Sequence, residues 1–85
     1  MTINEINAKI RKAISHLGVK GKFSVAGSFL AFRIEDPDKL VTMYQATEVQ
    51  FIVGNILRDL NLVERADSLC CIYHHGGVVM NWRHK

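Results

Sequence analysis

The stretch Lys22 to Gln45, KFSVAGSFLAFRIEDPDKLVTMYQ, decides how this chain is read. Phe23 and Val25 alternate with polar neighbours ahead of Gly27-Ser28, and Leu30, Phe32 and Ile34 alternate after it. A period of two on both sides of a tight reversal marks a pair of half-buried strands. Asp36-Pro37-Asp38-Lys39 is a second reversal, and it predicts a third strand that brings Val41 and Met43 beside Ile34 and Phe32. Both registers then agree on one apolar face: Phe23, Val25, Leu30, Phe32, Ile34, Val41 and Met43. A rival reading opens a helix at Asp36, with Pro37 as its first residue.

Working outward, Thr2 followed by Glu5 forms a capping box. Ile3, Ile6, Ile10, Ala13, Ile14 and Leu17 recur at helical spacing until Gly18 stops the run. Downstream, Thr47 and Gln50 repeat the capping pattern ahead of Val49, Ile52, Val53, Ile56, Leu57 and Leu60, which predicts a second helix ending near Asn61. Gly54 inside it costs about 1 kcal/mol relative to alanine, so it marks either a tolerated solvated position or a close crossing.

The closing segment, CCIYHHGGVVMNWRHK from Cys70 to Lys85, folds back at its glycines. A two-residue turn sets Tyr73 against Met80, and a four-residue HHGG turn shifts the partners. Either way Leu69, Cys71, Tyr73, Val78, Met80 and Trp82 share a face. The expected architecture is α+β, in the order α-β-β-β-α-β-β, with two helices packed on one face of a mostly antiparallel sheet and residues 1–85 forming one compact domain.

Eighty-five residues, 48% of them hydrophobic, suffice for a small core of modest stability, which dimerisation would reinforce. No apolar run approaches the roughly 20 residues that span a bilayer. The polar, periodic start MTINEINAKIRK is unlike a signal peptide, so a cytoplasmic location without a membrane partner is expected. The formal charge of +3 is unevenly spread: residues 1–22 carry five cations against Glu5, whereas residues 35–67 carry seven acids against three cations. Such a dipolar chain steers an acidic partner toward one end.

The Cys and His residues of the tail raise the question of a metal. Zinc held by Cys70, His74, His75 and His84 has suitable donors, but the usual Cys-x₂₋₄-Cys spacing is absent and the side chains divide between two strand faces. Cys70 and His74 share a face yet lie about 13 Å apart along a strand, too far for a nucleophile and its base. Adjacent Cys70 and Cys71 point opposite ways and are read as reduced thiols. No catalytic, metal or cofactor site is therefore expected, and no cofactor.

The binding candidates are Lys9, Lys12, Lys22, Phe29, Arg33 and Tyr44. Lys9 and Lys12 belong to the basic flank of the first helix. Lys22, Phe29, Arg33 and Tyr44 fall on the face of the predicted meander opposite its core, where aromatic area and cations together suit an acidic protein surface. The expected function is that of a small regulatory or adaptor protein that binds another protein non-covalently. It would act as a homodimer, with the Val78–Arg83 strand offering an unpaired edge for self-association. The alternative is nucleic-acid binding through the basic first helix and the same mixed face.

The first five expected elements resemble, in their α-β-β-β-α order, the double-stranded RNA-binding domain. That family carries a basic phosphate-contacting cluster where its second helix begins; the corresponding stretch here, TEVQFIVGNILRDL, has Glu48 and no lysine there. The full order also resembles the early part of secretion-chaperone domains, a resemblance that implies dimers binding protein segments.

Overall fold

The computed structural model describes residues 2–35, 42–74 and 77–85, with the backbone alone described at 35, 70 and 72–74. Helix α1 spans Ile3–Ile14 and passes through a 3₁₀ turn, Ser15–Leu17. Its capping box is complete: the Glu5 amide donates to Thr2 Oγ1 at 3.2 Å, and the Thr2 amide donates back to Glu5 Oε1 at 3.3 Å. Gly18 ends the turn with φ +70°, the left-handed conformation that glycine adopts without a Cβ penalty.

Strands β1 (Gly21–Ala26) and β2 (Phe29–Glu35) follow as the expected hairpin, with Phe23 against Phe32 and Val25 against Leu30. Helix α2 spans Met43–Asp59, and strands β3 (Cys70–His74) and β4 (Gly77–Arg83) close the chain. Their register sets Tyr73 against Val78 and Cys71 against Met80, the pairing that the longer HHGG turn implies.

The α+β class holds, but the order of the described elements is α-β-β-α-β-β. The predicted third strand does not reach Met43, because Met43 is the first residue of α2, 72% exposed. The rest of that segment, Asp36 to Val41 including Pro37, lies outside the described residues. Helix α2 is capped by Thr42, not Thr47: the Gln45 amide donates to Thr42 Oγ1 at 3.1 Å and the Thr42 amide donates to Gln45 Oε1 at 3.1 Å. Both T-x-x-Q boxes are locally competent. The upstream one prevails because the buried stripe begins at Ala46 and runs through Val49, Val53 and Leu57, one turn earlier than the later cap would allow.

At its far end α2 closes with Asn61 at φ +61°. The Asn61 amide donates to the Arg58 carbonyl and the Leu62 amide to the Leu57 carbonyl, both at 2.9 Å. These two bonds are a Schellman motif, which satisfies the last carbonyls of the helix.

The sheet order is β1-β2-β4-β3, antiparallel throughout. Strand β4 is thus internal, paired with β2 along one side and β3 along the other. The expectation that Val78–Arg83 forms a free edge is overturned. The reason lies in its side chains: Val78, Met80 and Trp82 are buried and Val79 is half-buried, so both neighbours are needed to cover it.

The core lies on one side of the sheet. Phe23, Leu30, Phe32, Ile34, Val78, Met80 and Trp82 join Ile6, Ile10 and Ile14 of α1 and the stripe of α2 in a single buried cluster. Helix α1 lies along β1 and α2, and α2 reaches β4. Val25 and Leu69, expected in that face, are exposed, since both stand at the margins of the sheet. Trp82 anchors the connection from α2 to β3 by donating its indole N–H to the Ala66 carbonyl at 2.8 Å. Gly54 sits against the same carbonyl group, where a Cβ would stand 2.7 Å from the carbonyl carbon. Its role is the close crossing.

Among the described residues, no helix is long and apolar enough to cross a membrane.

Candidate macromolecule-binding face

Alternation along the strands sends every second side chain away from the helices. On that open face β1 presents Lys22, Ser24 and Ala26, β2 presents Phe29, Ala31 and Arg33, and β4 presents Val79, Asn81 and Arg83. The register aligns them in rows. Lys22 stands opposite Arg33, which stands opposite Val79; Ser24, Ala31 and Asn81 make the next row; Ala26, Phe29 and Arg83 make the third. Two cationic rows thus flank a shallow row of small and neutral side chains. Lys22, Phe29, Arg33 and Arg83 are exposed, whereas Ala31, Val79 and Asn81 are half-buried.

At the β1 end the face dips into a concavity of about 520 Å³ lined by Lys20, Gly21, Lys22, Ser24 and Arg33. The strand beneath is held in place from outside. Asn7 of α1 donates to the Phe23 carbonyl at 3.1 Å and accepts from the Phe23 amide at 2.7 Å. One carboxamide therefore occupies the outward backbone groups of Phe23, which protects this edge of the sheet from pairing with another strand. The other edge is β3.

Three of the expected site residues share this face: Lys22 and Arg33 stand side by side, and Phe29 lies two rows away beside Arg83. Tyr44 does not join them. It projects from the first turn of α2, the helix that Thr42 caps, and is 86% exposed. Lys9 and Lys12 are exposed on α1, in the helical layer, so they contribute long-range field rather than contacts on the open face. Two residues absent from the expected site belong to it, Lys20 and Arg83. Lys20 was legible from its parity with Lys22. Arg83 reaches Phe29 only through the β2–β4 pairing, which joins segments fifty residues apart and leaves no local signal.

Among the described residues, no group of three His, Cys, Asp or Glu side chains is arranged to hold a metal ion. Cys71 is half-buried and takes part in no disulfide among the described residues. The side chains of Cys70 and His74, and all of His75, lie outside the described residues. No protein-family model matches this chain, and no curated protein matches it.

Proposed function

We propose that this chain is a small adaptor or regulatory protein that holds an acidic protein surface against the open face of its sheet. The observation that carries this reading is the pair of cationic rows on the side of the sheet that the helices leave uncovered, with Lys22 beside Arg33 at one end and Arg83 beside Phe29 at the other. Phe29, 43% exposed, supplies apolar contact area. The cations supply charge-assisted hydrogen bonds to carboxylates, and arginine does so bidentately. The small side chains Ser24, Ala26 and Ala31 leave room for a partner to approach the strands. The action is occupancy: the bound surface is hidden from competitors or presented to another protein.

A second reading, binding of single-stranded nucleic acid, draws on the Phe29–Arg83 pair, since a base can stack on an aromatic ring beside a guanidinium. The sheet face has one aromatic among its described side chains, fewer than a stacking platform usually offers. Protein binding is therefore the preferred reading.

Titrating the ¹⁵N-labelled protein with a polyglutamate peptide and, separately, with an oligothymidylate distinguishes the two. Protein binding predicts shifts of the Lys22, Phe29, Arg33 and Arg83 amides with the peptide, lost in the Lys22→Glu/Arg33→Glu variant. Tighter binding to the oligonucleotide, weakening steeply with salt, would transfer the function to nucleic acid.

A further inference from the structure

The structure leaves a second surface without a partner, the outward side of α2. Tyr44, Thr47, Glu48, Phe51, Asn55 and Arg58 are all exposed. At 3.6 residues per turn they form one stripe about 100° wide along the helix. Tyr44 is 86% exposed and Phe51, seven residues on and on the same line, is 45% exposed. Two exposed aromatic rings thus stand about 10 Å apart on one helix line. Among the described residues, neither Glu48 nor Arg58 has a side-chain partner. Ten residues apart on one helix, they are about 15 Å from each other along the axis and cannot pair within the chain.

We infer that the partner for this stripe is a second copy of the chain, packed with its α2 antiparallel across a two-fold axis at Phe51. The ground for this choice is that the stripe is complementary to itself. With Phe51 on the axis, positions whose numbers add to 102 stand level. Tyr44 meets Arg58 of the other copy, ring against guanidinium. Glu48 falls about 1.5 Å along the axis from Asn55 of the other copy, and about 6 Å from its Arg58, within reach of that long side chain. Phe51 packs on its own symmetry mate at the centre, with the charged and amide groups at the rim, as in a self-complementary two-fold interface. A parallel arrangement would set Glu48 on Glu48 and Arg58 on Arg58, so the charges select the antiparallel one. This interface occupies the helical layer, leaves the open sheet face clear, and does not depend on what that face binds.

Sedimentation equilibrium of the full chain across a dilution series tests the proposal. The expected mass moves from one chain toward twice the 9.6 kDa chain mass as concentration rises. Glu48→Arg or Arg58→Glu alone places like charges across the axis twice and raises the dissociation constant about tenfold or more. The double variant restores the original pairing with the charges exchanged and recovers dimerisation. Mixing the two single variants yields a heterodimer tighter than either homodimer. Both positions of change are solvent-exposed, so folding is preserved, and circular dichroism checks it. A single-chain mass at every concentration would overturn the inference, as would a dimer indifferent to both single substitutions or a double variant no better than the singles. Sheet-face binding is read separately, by the polyglutamate titration of the Glu48→Arg variant, which is expected to match the unsubstituted chain.

Discussion

At Gly54 a hydrogen atom stands where any other residue would drive a carbon into the Ala66 carbonyl group. That carbonyl cannot retreat freely, because it accepts the indole N–H of buried Trp82. Glycine in mid-helix costs about 1 kcal/mol, and here that cost secures the contact between α2, the connection to β3, and β4. Gly54→Ala is therefore expected to destabilise the fold by about 1–3 kcal/mol despite the better helix propensity of alanine, measured as a lowered midpoint in urea unfolding. Trp82→Phe keeps the apolar bulk but leaves the Ala66 carbonyl without the indole donor, at an expected cost of about 1–3 kcal/mol by the same measurement. Gly54 was visible in the sequence as an anomaly. What it approaches was not, because Ala66 belongs to an irregular segment with no periodic pattern.

Individual elements were legible to different degrees. Helix α1 and the β1–β2 hairpin match their expected boundaries and register because cap, period and turn all lie within a few residues of one another. Helix α2 begins five residues earlier than expected, since two identical T-x-x-Q boxes compete and only burial of Ala46 separates them. The distinction is measurable: Thr42→Ala removes the cap and is expected to cost about 1 kcal/mol, whereas Thr47→Ala, exposed on the helix surface, changes stability by about 0.5 kcal/mol or less. The opposite outcome would restore the later start.

Element α1 also carries a pH response. The Thr2 amide, and then its hydroxyl, donate to the Glu5 carboxylate and hold its pKa below the ordinary glutamate value. A depressed folded-state pKa gives stabilisation that is full above the unfolded-state value and lost as pH falls through the folded-state one. Acidification below the usual glutamate range is thus expected to fray the first turn of α1, seen as faster amide exchange near Glu5. Glu5→Gln should remove that dependence.

Across the whole molecule, the sheet order β1-β2-β4-β3 places the two hairpins side by side and leaves one broad sheet face open. The sequence-level charge asymmetry survives in part as a spatial one: Lys20, Lys22, Arg33 and Arg83 gather on that face, while Lys9 and Lys12 remain in the helical layer. Because Lys22 and Arg83 are solvent-exposed, Lys22→Glu/Arg83→Glu is expected to shift the melting temperature little while reducing polyglutamate affinity about tenfold or more. A large loss of stability would mean that the pair serves the fold instead.

The α+β class, the first helix with its cap, both hairpins, and the core positions Phe23, Leu30, Phe32, Ile34, Val78, Met80 and Trp82 were legible in the sequence. Each of these follows from periodicity, capping or turn chemistry among near neighbours. Tertiary structure alone decided that β4 lies inside the sheet, that Arg83 stands beside Phe29, that Tyr44 leaves the sheet for α2, and that Gly54 meets Ala66. These depend on which distant strand covers Val78, Met80 and Trp82, a competition settled by burial across the whole chain and not encoded in any local stretch.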